Sequence, residues 1–289
     1  MRRYRVQHVT RYTYDAPVST SFGRAHLVPR QRSDQTVSGV ELHIDPAPVE
    51  LREHTDYFGN RSTYFCVREE HQRLEVTARS VVTVDRPALD LHRLDAHPWE
   101  RDRDALAAEP QLVEYRRSSP RVAVTEEVRD YAGGVIEAGQ TMAEVIRALL
   151  TAIERDFTFR SGVTTVDTSI GELLERRAGV CQHFAHLAVG CLRSVGLAAR
   201  YVSGYLETQP PPGRPKLQGA DASHAWASAY APGLGWVDFD PTNNQLVDDR
   251  YVVVAHGRDY GDVPPLKGVI VTAARSSKLS VGVDVVRTG

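Results

Sequence analysis

Residues 179–187 read Gly-Val-Cys-Gln-His-Phe-Ala-His-Leu, and the segment running on to residue 195 places Phe184, Leu187, Ala188, Cys191, Leu192 and Val195 at helical spacing. That periodicity predicts a helix opening at Cys181 with one apolar face. Gly196 follows as its stop. Free amides and the helix dipole at a first turn favour negative charge, so a thiol at this position ionises more readily than a free one. By position alone Cys181 reads equally well as a small apolar member of the stripe. Cys191, deeper in the stripe, and Cys66, in a strand pattern, read as core.

Working upstream, Thr141 with Glu144 and Ser169 with Glu172 are capping-box pairs. Met142, Val145, Ile146, Leu149 and Ile153 form a stripe behind the first of them. Downstream, residues 199–206, 224–230 and 235–240 read as strands, and Leu279, Val281, Val283 and Val285 alternate near the end. The first 85 residues also alternate, with Tyr4, Val6, Thr10, Tyr12 and Tyr14 on one side of a strand. Helices grouped between runs of strands indicate an α+β chain rather than a parallel βαβ sheet. The expected organisation is an N-terminal antiparallel β-sandwich-like domain over residues 1–90, a connection over 91–120, and a core of helices packed on an antiparallel sheet over 121–289. The Pro-rich, charge-dense stretch at 85–120 reads either as a domain boundary or as a surface loop within one domain.

Composition narrows the function. The 289 residues are 42% hydrophobic and 25% charged with net charge −2, which excludes disorder and argues against nucleic-acid binding. No apolar run approaches the ~18 residues that span a bilayer, so no membrane partner is expected. The first residues lack the apolar block of a secretory leader. Three cysteines make no disulfide framework, and a reducing cytoplasm is the expected compartment.

A cysteine nucleophile needs a base, and the base needs an orienting acceptor. His224 lies in Asp-Ala-Ser-His-Ala-Trp at the start of a strand, and Asp240 lies in Gly-Trp-Val-Asp-Phe-Asp-Pro at the end of the next. Adjacent antiparallel strands bring such positions together. Asp238 has the same strand parity, so the pattern leaves the choice of carboxylate open.

The three segments GVCQHFAHL, SHAW and GWVDFDPTNN, in this order, resemble the catalytic segments of the transglutaminase-like superfamily. RYVSGYL at 200–206 and GRDYGDVPP at 257–265 also match. HVTRYTYDAPV, LVPR and DYFGN are similar to the strand-rich region that precedes this core in bacterial members. The resemblance implies a papain-related core with Cys181 as nucleophile, His224 as base and Asp240, ahead of Pro-Thr, as the orienting acid. His183 departs from the subgroup's pattern, where an acidic residue is expected.

The activity implied is thiol-dependent acyl transfer on amide bonds through a thioester, acting on a peptide or protein and leaning to hydrolysis over cross-linking. The alternative is a catalytically silent binding module on the same fold. Asp221 and Trp226 are further candidates for contacting substrate. A metal reading from Cys181, His183, His186 and His224 fails on helical geometry, because the side chains at 181, 183 and 186 do not converge. No cofactor is required by this chemistry.

Overall fold

β1 (Arg2–Ala25) is long enough to organise a whole sheet by itself. In the computed structural model, which describes residues 1–87, 89, 91–208 and 223–289, both edges of this strand are occupied. Its first half lies between β5 (His71–Val84) and β14 (Ser277–Arg287), and its second half between β4 (Arg61–Val67) and β13 (Leu266–Thr272). β2 (Gln35–Asp45) and β3 (Glu50–Thr55) pair outside β5 and β4. The expected sandwich-like region is thus one seven-stranded antiparallel sheet.

The changeover sits near Pro17, which has no N–H to give to a ladder. The register with β13 slips between Val18 and Thr20. An extra residue in a strand turns its inward parity over. Accordingly Tyr4, Val6, His8 and Thr10 are buried at even positions before the bulge, whereas Ser21 and Ala25 are buried at odd positions after it. Gly23 shares that second parity, and the Phe65 ring occupies the space its Cβ would take.

After the short helices α1 (Leu91–Leu94) and α2 (Trp99–Ala105), the connection packs inward, with Leu112 and Tyr115 buried against Ala198. Then come α3 (Glu126–Gly133), α4 (Met142–Asp156), β6 (Thr158–Phe159), α5 (Ile170–Arg176) and β7 (Ala178–Gly179). Both capping boxes form: the Thr141 N–H donates to Glu144 at 2.8 Å and the Ser169 N–H to Glu172 at 2.8 Å.

α6 (Cys181–Ser194) is buried on every side from Gln182 to Arg193, not along one stripe as expected. β8 (Ala199–Leu206) and β9 (Ser223–Ala231) lie against it on one flank, with α3 and α5 on another. Its polar residues are consequently tied to main chain. Arg193 Nη2 donates to the Arg258 carbonyl at 2.7 Å and to Ala199 at 2.9 Å. Gly196, at φ +85°, reverses the chain after the helix.

The second sheet orders as β11 (Gln245–Leu246), β10 (Gly235–Asp240), β9, β8 and β12 (Tyr251–Gly257). The expected core extent of 121–289 needs a correction, because β13 and β14 leave this sheet and pair with β1 instead. Alternation marks a strand without naming its partner, and β1 offers a free edge 24 residues long. A shared core joins the two sheets, with Tyr4, Val6, Val82, Val283 and Val285 packed with Tyr201, Tyr205, Val252 and Ala185 of α6. Among the described residues, no helix is long and apolar enough to cross a membrane.

Candidate active site

Cys181 is the first residue of α6 and is partly exposed, while Cys66 and Cys191 are buried. Burial pushes the Cys191 thiol up to about 12, which leaves it inert. His224 stands early in β9, and Asp240 ends β10, the neighbouring antiparallel strand. His224 Nε2 lies 2.6 Å from Asp240 Oδ2, and the Cys181 thiol is near enough to the same imidazole to raise its pKa. With Nε2 committed to the carboxylate, Nδ1 is the nitrogen left for sulfur.

Burial works to lower the His224 pKa, but the hydrogen bonds to Asp240 and Cys181, with their negative charge, overcome it. The imidazole is pushed up to about 10. Asp240 is fully buried, which by itself would raise its pKa. Hydrogen bonds from His224, Asn243 and Tyr251 reverse that and hold it below the usual carboxylate range. The Thr242 N–H donates to Asp240 Oδ1 at 2.9 Å, and the Asn243 amide donates to Oδ2 at 2.6 Å. Asp238 is placed elsewhere, 3.9 Å from Arg200 and 3.8 Å from Arg32.

The loop before α6 is braced by the helix itself. His183 is buried; Val180 N–H donates to its Nδ1 at 3.3 Å, and its Nε2 faces the Thr165 carbonyl at 3.0 Å. Those partners define the tautomer with the proton on Nε2. Burial lowers its pKa, which favours the neutral ring. Gln182 Nε2 donates to Val166 O at 3.0 Å. His186, also buried, accepts the Tyr260 N–H at 3.1 Å and so anchors the GRDYGD turn.

The family model described as Bacterial transglutaminase-like N-terminal region matches residues 4–83, and the model described as Transglutaminase-like superfamily matches residues 129–241. An uncharacterized Mycobacterium tuberculosis protein is 46% identical, with 98% of this chain and 92% of that protein covered. The chain belongs to the transglutaminase-like superfamily.

Its fold is shared with a crystal structure of a candidate cysteine protease from Cytophaga hutchinsonii, at a TM-score of 0.75 and 18% identity over 98% of this chain and 90% of that one. A Pseudomonas aeruginosa protein-glutamine gamma-glutamyltransferase is 31% identical over 34% of this chain and 15% of its own length.

In this transglutaminase-like chain Cys181 and His224 open onto a cavity of about 660 Å³. The far wall of the cavity comes from the first sheet, through His8, Thr10 and Tyr12 of β1 with Leu279 and Val281 of β14. Trp226, expected at the substrate surface, is instead fully buried, its ring 6.2 Å from His224 and 5.3 Å from Tyr251. Gly204, opposite His224 in the register, makes room for it: a Cβ there would meet the Trp226 ring at 2.4 Å. Asp221 and the loop 209–219 lie outside the described residues.

Asn243 and Tyr251 escaped the sequence reading. Asn243 could have been found from its place three residues after Asp240. Tyr251 carries no local signal, because it reaches Asp240 from β12, across the sheet.

Proposed function

We propose that this protein is a thiol-dependent acyl-transfer enzyme that cleaves amide bonds in peptides or proteins. The observation that carries the reading is the position of the His224 ring between the Cys181 thiol and the buried Asp240 carboxylate. His224 takes the thiol proton, and the sulfur attacks the amide carbonyl carbon. The resulting oxyanion lies at the N-terminus of α6, where the Cys181 N–H is positioned to donate. The imidazolium then gives its proton to the leaving nitrogen, the C–N bond breaks and a thioester stays on Cys181. Water attacks the thioester while His224 accepts a proton from it. The acid leaves, and the sulfur regains a proton from the imidazolium.

Hydrolysis is favoured over transfer to an amine because water reaches an open cleft unaided, whereas transfer needs a site that admits an amine and keeps water out. The names of the Cytophaga and Pseudomonas proteins span both outcomes, and both share the thioester half-reaction. The test is incubation of a peptide library with and without a primary amine, using wild type and Cys181→Ala. The expected result is amine-independent release that Cys181→Ala abolishes. Amine incorporation outpacing release would make the protein a transamidase, and limiting alkylator that ignores Cys181 would favour a silent binding module.

A further inference from the structure

The inward stripe of β14 is buried at one end and bare at the other. Val283 and Val285 are fully covered by the second sheet, yet Leu279 and Val281, on the same side of the same strand, are 53% and 47% exposed. Strand parity makes these four residues one continuous apolar surface. It passes from the shared core straight into the cavity that holds Cys181. Leu279 is registered with Tyr12 and Val281 with Thr10, which gives the wall its width. Across the cleft, Phe159 and Val166 are also about half exposed. Val166 is held there through its carbonyl, bonded by Gln182 of the nucleophile's own helix.

Among the described residues lining the cavity there is no Asp, Glu, Lys or Arg. His8 is buried and neutral, its pKa lowered to about 4 by desolvation, with its nitrogens bonded to Thr10 and Tyr205. A charged side chain seated between these four residues would lose hydration with no Asp, Glu, Lys or Arg among the described lining residues to replace it. An apolar one would remove four half-exposed apolar residues from water.

Resting on the acyl-transfer reading above, we propose that the acyl donor carries an uncharged apolar side chain of leucine or phenylalanine type, bound between Leu279 and Val281 on one wall and Phe159 and Val166 on the other. The first sheet is then the specificity-determining part of the enzyme. Leu279 and Val281, nearly a hundred residues beyond Cys181 in sequence, select the substrate.

The test uses acetyl-dipeptide acyloxymethyl ketones that differ in one side chain at either position before the ketone: Leu, Phe, Gln, Glu or Lys. The Cys181 sulfur displaces the carboxylate and leaves a thioether, so labelling needs no natural substrate. Each rate is divided by the same protein's rate with iodoacetamide, which has no side chain to select. The expected result is labelling about tenfold or more faster with Leu or Phe than with Glu or Lys. Leu279→Lys, at a half-exposed site that tolerates a long side chain, should move the preference about tenfold toward Glu.

Equal rates across the set, or a preference for a charged probe in wild type, overturn the specificity proposal and leave the thiol chemistry standing. A flat profile with a wild-type dimer that Leu279→Lys dissociates assigns the wall to a second copy, which also overturns it. Failure of iodoacetamide to prefer Cys181 removes the acyl-transfer reading and this proposal with it.

Discussion

The Tyr251 hydroxyl donates to Asp240 Oδ2 at 2.7 Å, the same carboxylate oxygen that lies 2.6 Å from His224 Nε2. One buried oxygen therefore holds a ring from β9 and a phenol from β12, two strands separated by β8. Tyr251 also stacks edge-on to Trp226, so the support beneath His224 is rigid from both the polar and the apolar side.

Asp240→Asn removes the charge that helps hold the His224 pKa near 10. The imidazolium donates to the leaving group, so activity falls as pH rises through that value. With the charge gone the alkaline limb should move down toward the ordinary histidine range, and kcat/KM should drop by about 10²-fold or more. Tyr251→Phe, which leaves the Asp240 charge in place, should cost less and should not move the limb down. A pH–rate profile of each variant checks both.

Buried neutral histidines make the fold acid-labile. His8 and His186 titrate at about 4 and 3 because burial disfavours their charged forms, against about 6.5 unfolded. Their contribution is fully present above pH 6.5 and is lost as pH falls below it. Each should cost about 1.4 kcal/mol per pH unit in that window. His224 has the opposite sign: its contribution is complete below 6.5 and disappears as pH rises through about 10. Urea unfolding at pH 7.5, 6 and 5 should show the acid slope, and His8→Asn should reduce it.

His183→Ala leaves the Val180 N–H and the Thr165 carbonyl without their side-chain partner. The expected loss is about 1–3 kcal/mol of stability, together with slower alkylation of Cys181 as the loop before α6 loosens. Denaturant titration and labelling kinetics separate the two effects. His183→Asn, which keeps a donor and an acceptor, should recover part of both.

Gly204→Ala puts a methyl 2.2 Å from the Val252 carbonyl oxygen and 2.4 Å from the Trp226 ring. Neither gives way cheaply, since one is backbone and the other is fully buried. The variant should lose at least about 2 kcal/mol. Its tryptophan fluorescence should change together with Cys181 reactivity, because Trp226 lies beneath His224.

Much of the site was legible from local pattern. The helix opening at Cys181, the two capping boxes and the strand ends bearing His224 and Asp240 all follow from periodicity and from Gly and Pro positions, which act over a few residues. The choice between Asp238 and Asp240 did not follow from parity. The resemblance favoured Asp240, and the fold decides it by bringing Asp240 Oδ2 to 2.6 Å from His224 Nε2 while Asp238 lies beside Arg200 and Arg32.

Alternation at 279–285 declared a strand with one apolar side, because a pleated backbone sends successive side chains to opposite faces whatever lies beside it. Which strand it joins is a long-range choice, made by the free edge of β1 more than 250 residues earlier in the chain. The same closure puts Leu279 and Val281 on the cavity that holds Cys181, while the packing of the second sheet brings Tyr251 to Asp240 and covers Trp226. Local sequence determines the faces of each element. Only the packed chain, by bringing remote edges within hydrogen-bonding distance, determines what those faces meet.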